Sequence, residues 1–254
     1  MKKLLVCALA LVMIASMVAC ENKSEQPIIN DNYDSQQDSS SEEKTTDVAE
    51  EEIYNDKIYY VDEDISEGKY IVNCTKSKYG MDVIVFKSEI EYQSFQNSEQ
   101  FTTGEYRKAV EKNAWESLYI KEDEKAYISL EKGNVLLLDE GMCEFNKYDA
   151  LDSNKLYSGI YVVGKDIKSG RVDIKCISNS LEVVVFESDQ KYSEYHKTSR
   201  FTVGEESDAV EKYSMDNDYI YNNDSKSVDL KDGMILMVDN GVGEYSFDKG
   251  PIIN

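Results

Sequence analysis

Histidine occurs once in this chain, at His196, and tryptophan once, at Trp115. A zinc site or a histidine general base would therefore have a single candidate, with no orienting motif around it. A tryptophan platform for sugar rings has equally thin support. The patterns G-x-S-x-G, G-x-x-x-x-G-K-[ST] and H-E-x-x-H do not occur, which removes the usual signatures of hydrolases, phosphate loops and metalloproteases. Basic residues are scarce. Lys and Arg number 28 against 50 Asp and Glu, a formal charge of −22. Such a chain repels nucleic acid, so a nucleic-acid partner is excluded. Anionic lipid headgroups and polyanionic polymers would be repelled as well. No catalytic residue, resident metal or cofactor is assigned from the sequence.

Long apolar runs are also missing, except at the start. Residues 1–19 read as an export signal, with Lys2 and Lys3 ahead of an apolar core too short for a membrane span. The core ends in Ser16-Met-Val-Ala-Cys20. This resembles a bacterial lipobox, with Met17 in place of the usual leucine. The resemblance implies that Cys20 is acylated and that the protein is anchored to the cell membrane by lipid, facing outward. Residues 20–56 then read as the lipidated cysteine and an acidic linker. From Glu21 to Asp56 there are twelve acidic residues against Lys23 and Lys44. Low hydrophobicity and high net charge predict disorder, with a root-mean-square reach of about 35 Å.

What the chain does have is a repeat. Ile58-Tyr-Tyr-Val-Asp-Glu-Asp-Ile-Ser-Glu-Gly68 is echoed by Ile160-Tyr-Val-Val-Gly-Lys-Asp-Ile-Lys-Ser-Gly170. Val83–Phe86 matches Val183–Phe186, Phe101–Glu105 matches Phe201–Glu205, and Asp139-x-Gly141 matches Asp239-x-Gly241. A period near one hundred residues is too long for a solenoid unit and marks tandem domains. The expected boundaries are 57–147 for the first copy, 148–156 for a linker and 157–250 for the second.

Both copies read as β. Val83–Phe86 and Val183–Phe186 are continuous β-branched or aromatic runs of central-strand type. Asn240-Gly241 follows another such run as a hairpin cue. Asp64 and Asp166 suit an Asx-type turn, each accepting a hydrogen bond from backbone about two residues on. Gly68 and Gly170 suit positive φ, with Ile65 and Ile167 as apolar plugs. Ser88–Ser98 and Ser188–Ser199 have apolar residues at helical spacing and are expected as a short helix or loop. The fold class is all-β, two tandem sandwich or jelly-roll-like domains of about seven or eight strands each.

The motif G-x-Y-x-V-G-x-D-I-x-x-G, carried by Gly159, Tyr161, Val163, Gly164, Asp166, Ile167 and Gly170, resembles a small β-sandwich module of Gram-positive surface lipoproteins. The first copy departs from it at Lys57 and Asp62. The resemblance implies a fold and a location, with no activity attached.

Cys74 and Cys143 lie in the first copy, where their counterparts in the second are Cys176 and Gly243. Export permits a disulfide, yet the second copy has no such pair, so free thiols are the expectation. Asp216-Asn-Asp218 and Asn222-Asn-Asp224 offer oxygen ligands of the kind Ca²⁺ takes, but lack the glycine and glutamate of a calcium loop. Turn chemistry accounts for them as well. Binding candidates are the aromatic residues of the variable segment: Tyr92, Phe95, Tyr192, Tyr195 and His196. Their helical spacing equally places the rings in a core. The expected function is a non-enzymatic, membrane-anchored surface module that binds a protein or a glycan. A structural envelope component without a ligand is the second reading, and a hydrolase the third.

Overall fold

The computed structural model describes residues 57–98, 100, 102–148, 153–198 and 203–247. The leader, Cys20 and the acidic segment to Asp56 lie outside the described residues, as do Phe101, Phe201 and the centre of the expected linker.

The protein is mostly β. The first copy has β1 (Lys57–Tyr60), β2 (Gly68–Phe86), β3 (Glu116–Ile120), β4 (Lys125–Leu130) and β5 (Val135–Lys147). The second has β6 (Lys155–Val162), β7 (Gly170–Cys176), β8 (Ser180–Phe186), β9 (Asp216–Tyr221), β10 (Ser225–Leu230) and β11 (Ile235–Phe247). Each copy thus has fewer and longer strands than the turn signals predict. The nineteen-residue β2 does in one piece what β7 and β8 do in two. Ile177–Asn179 breaks the second version, where the first keeps pairing through register shifts after Cys74 and Ser77.

Pairing follows the same scheme twice. The N-terminal half of β2 pairs β4 and the end of β5; its C-terminal half pairs β3 and the start of β5, which also carries β1. In the second copy β7 pairs β10 and the end of β11, while β8 pairs β9 and the start of β11, with β6 alongside. One face of each sheet encloses a core. In the first copy it joins Tyr70, Val72, Cys74, Val83, Val85, Leu136 and Leu138, with Cys143 and Phe145 packed against them, residues from both halves of β2 and β5. The sheet therefore wraps around that cluster.

The opposite face of the half containing Val83–Phe86 is covered too, which explains a run with no polar alternation. Val83 and Val85 face the interior cluster, while Ile84 and Phe86 face a pair of helices. These are α1 (Glu89–Gln96) and α2 (Thr103–Asn113), with counterparts α3 (Asp189–His196) and α4 (Val203–Tyr213). The expected short helix is present in both copies. The longer α2 and α4 were not foreseen, although Thr102-x-x-Glu105 is a capping box: the Thr102 hydroxyl accepts from the Glu105 N–H, and the Glu105 carboxylate accepts from the Thr102 N–H. Among the described residues no helix is long and apolar enough to cross a membrane.

The Asp-Ile-x-x-Gly turns form with one difference from expectation. Asp64 and Asp166 accept hydrogen bonds backward, from the N–H of Tyr60 at 2.9 Å and of Val162 at 2.8 Å, rather than from residues ahead. Gly68 and Gly170 take φ of +148° and +137°. Ile167 is fully buried beneath its turn, and Ile65 packs partly against the first core. The glycine missing from the first turn is replaced by Asp62, which holds the same left-handed conformation at φ 78°.

The described residues of both copies belong to one compact unit, and the copies meet within it. β4 and β6 touch in parallel at Ala126 and Ser158. Tyr127 and Ile71 of the first copy belong to the core of the second, Tyr127 stacking on Tyr161 at 4.2 Å between ring centres. Gly159 makes this approach possible, since a Cβ there would run into the Tyr127 carbonyl oxygen. Its counterpart, Lys57, has no copy before it to meet. The free end of the second copy carries polar residues where the first carries its docking side chains. Asp173 stands for Ile71 and Ser227 for Tyr127, and the two are hydrogen-bonded to each other. This edge of the second copy is thus polar where the matching edge of the first is apolar, as on the outer face of a terminal repeat.

Candidate inter-copy groove

A groove with a volume of 690 Å³ runs between the copies on the helix-bearing side. Its first wall is α2, which contributes Tyr106, Arg107 and Glu111. Its second is formed by α3 and α4, which contribute Tyr192, Tyr195, His196 and Glu206. The floor is strand: Ile84 of β2, Glu116–Tyr119 of β3, Ile160 of β6 and Met237–Asp239 of β11.

Three features fix the walls relative to one another. Trp115 packs edge-on against Tyr192, with ring centres 4.8 Å apart, and its carbonyl accepts the Tyr192 hydroxyl at 3.0 Å. Lys87 lies over the Trp115 ring at 3.5 Å and pairs with Asp189 at 3.1 Å. Glu116 accepts a hydrogen bond from the Ile160 N–H at 2.8 Å. Away from the groove lining, Lys69 of the first copy reaches the buried Asp166 carboxylate of the second at 3.4 Å and donates to the Lys165 carbonyl at 2.7 Å. Lys165 in turn pairs with Glu131, which that contact holds below the usual carboxylate range.

The electrostatics are those of carboxyls crowded out of water. Burial pushes the Glu116 carboxyl up to about 8, the Ile160 N–H opposes the rise, and Asp166 adds to it. Burial pushes Asp82 up to about 6, with Asp139 and Glu140 adding and Arg107 opposing. Asp82 and Asp139 are directly opposite one another across β2 and β5. Glu182 and Asp239 repeat that relationship across β8 and β11. Burial raises Glu182 as well, offset by the Tyr219 hydroxyl and reinforced by Asp239 and Glu206. Like charges facing each other across strands are destabilising. In the first copy the Tyr106 hydroxyl relieves the pair by donating to Asp139 at 2.7 Å. A carboxyl that holds its proton near neutral pH, as burial favours for Glu116, can both donate to and accept from a polar ligand.

The sequence candidates divide. Tyr92 and Phe95 are 2% and 5% exposed and belong to the core between helices and sheet, against Phe86. Tyr192 and Tyr195 are buried in the equivalent core, yet their edges line the groove. His196 is not the exposed loop residue that its place in a variable segment implied. It is 5% exposed, ends α3, sits with its ring 5.8 Å from that of Tyr192, and lines the groove. Asp82, Arg107 and Glu116 were not singled out from the sequence. The available signal was acidic residues at the ends of apolar strands, Asp82 before Val83 and Asp139 after Leu138.

The cation-friendly segments lie elsewhere. Asp216 and Asp218 are both paired to Lys226, at 3.3 and 3.4 Å. Asn222–Asp224 forms a turn, with Asn223 at φ 67°. Among the described residues no cluster of three or more His, Cys, Asp or Glu is arranged to hold a metal ion. Comparison of the chain with family models, characterised proteins and solved structures gives no match.

Proposed function

We propose that the protein is a lipid-anchored, outward-facing binding module that holds a protein or glycan partner in the inter-copy groove without transforming it. The observation that supports this reading is the groove itself, 690 Å³ in volume and lined by both copies. A duplicated domain gains a concave site at the junction that neither copy has alone. The lining mixes tyrosine, one arginine and several carboxyls, the kind of surface that fixes a polar partner by hydrogen bonds with aromatic anchoring. Tyr119 is 56% exposed at the groove, with its hydroxyl donating to the Tyr79 carbonyl and its ring open to contact. The leader through Cys20 and the acidic segment to Asp56 support placement outside the membrane on a tether.

The test is site-specific crosslinking on intact cells. A photo-crosslinking residue at position 119 should capture a discrete partner. The same residue at Tyr221, exposed on β9 outside the groove, should not. Arg107→Glu should reduce capture from position 119. Equal labelling from both positions, or none from either, would overturn the groove as the binding surface.

A further inference from the structure

We propose that Cys74 and Cys143 form a cross-strand disulfide site, closed by exchange with a small-molecule disulfide. Both are thiols in the structure. They stand directly opposite each other in the ladder between β2 and β5. The backbone of Cys74 points away from β5: its N–H donates to the Glu124 carbonyl at 3.1 Å and its carbonyl accepts from the Asp123 N–H at 2.9 Å. Both polar groups of a strand residue point to the same side, so toward Cys143 this is a non-hydrogen-bonded pair. Such pairs bring Cα atoms to about 4.5 Å and side chains closest together. That separation lies within the span of a disulfide.

Opposed residues share a face of the sheet, and here both side chains belong to the interior cluster. Cys74 is fully buried, and Cys143 is partly buried against it. Their proximity is also felt in titration: burial pushes the Cys143 thiol up to about 12, and Cys74 is the next cause. The second copy shows what the pair requires. Cys176 has the same backbone setting, donating to Asp224 and accepting from Asn223, but faces Gly243. A Cβ at Gly243 would press on Leu181 at 2.8 Å. Only the first copy has two sulfurs in register.

Cys143 is the entry point because Cys74 is sealed from solvent. With oxidised glutathione as reagent, the Cys143 thiolate attacks one reagent sulfur and expels one glutathione thiolate, leaving a mixed disulfide. The Cys74 thiolate then attacks the Cys143 sulfur and expels the second glutathione. Two protein thiols lose two protons and two electrons, and the reagent disulfide is reduced to two thiols. A thiol held so far above its ordinary range reacts slowly near neutral pH and faster as pH rises.

The full chain, folded, is incubated with oxidised glutathione at mildly alkaline pH, then alkylated without reduction, digested and examined by mass spectrometry. A Cys74–Cys143 linked peptide is expected, with Cys176 alkylated. Closure should be faster at higher pH, and Cys176→Ser should leave the linked peptide in place. Cys143→Ser should leave Cys74 free of glutathione until the chain is unfolded. The proposal is overturned if the wild-type chain stops at a mixed disulfide on Cys143, if both thiols are recovered alkylated, or if either pairs with Cys7, Cys20 or Cys176 instead. These wild-type outcomes decide the matter even if the serine variant does not fold.

Discussion

Glu116 of the first copy accepts a hydrogen bond from the backbone N–H of Ile160 in the second, at 2.8 Å, with its side chain withdrawn from water. β6 therefore donates to a side chain a hydrogen bond that the carbonyl of a neighbouring strand would otherwise accept. The counterpart of Glu116 is Asp216, which instead pairs with Lys226 at the surface. One position thus serves two purposes, docking the next copy through Glu116 and pairing with a lysine of its own copy through Asp216.

The pH dependence of stability follows from that burial. The folded Glu116 carboxyl titrates near 8, well above its ordinary 4.5. A raised carboxyl favours the folded state while it is protonated. That contribution is fully present below about pH 4.5 and is lost as pH rises toward 8. Asp82, raised to about 6, acts in the same direction over a narrower window. Thermal melts should show a fall in Tm between pH 5 and pH 8, reflecting a loss of stability of about several kcal/mol at most. Glu116→Gln should flatten that slope. An identical slope in the variant would show that Glu116 is not the group responsible.

Docking of the copies should depend on Trp115 and Tyr127 far more than on their counterparts. Trp115→Ala and Tyr127→Ala each remove an aromatic side chain from a packed inter-copy contact, at a cost of about 3–5 kcal/mol. Met215 occupies the position of Trp115 in the second copy and is 58% exposed, so Met215→Ala should stay within about 0.5 kcal/mol. Urea unfolding of the three variants gives the comparison directly.

Gly159 should resist substitution where Lys57 does not. Gly159 has φ +152°, and a Cβ would collide with the Tyr127 carbonyl. Gly159→Ala should cost about 1–3 kcal/mol through strain and separation of β4 from β6. Lys57→Ala, at the matching position without a neighbouring copy, should be close to neutral. Equal effects in denaturant titrations would mean that the close approach is not what demands glycine.

Tyr195 is 1% exposed, with its ring 5.0 Å from that of Phe186. Tyr195→Ala should therefore lower stability by about 3 kcal/mol or more. Calorimetry finding an unchanged Tm would restore the ring as a surface anchor.

The proposed lipid anchor has one residue to test, Cys20. In the native host, Cys20→Ala should abolish fatty-acid labelling and release the protein to the medium. Retention of the variant in the membrane fraction would count against lipid anchoring.

The duplication, the continuous strands at Val83–Phe86 and Val183–Phe186, and the glycine-closed turns at Asp64 and Asp166 were legible from residue order. Each rests on local geometry: the two-residue period of a strand, the φ open to glycine, the short reach of an aspartate. The helix at Thr103–Asn113 was not foreseen, although its capping box at Thr102 and Glu105 was a local signal for it. What residue order left open is which of two similar copies faces which. Tyr127 and Ser227, Trp115 and Met215, and Glu116 and Asp216 hold equivalent places along the chain. Only the tertiary structure separates buried docking residues from solvated ends. Burial depends on what lies across the contact, many residues away, and the same contact encloses the groove and places the Ile160 N–H and Asp166 where they act on Glu116. Cys74 and Cys143 obey the same logic. Each read as a cysteine in an apolar strand, and it was the ladder register, fixed by long-range pairing, that set them face to face.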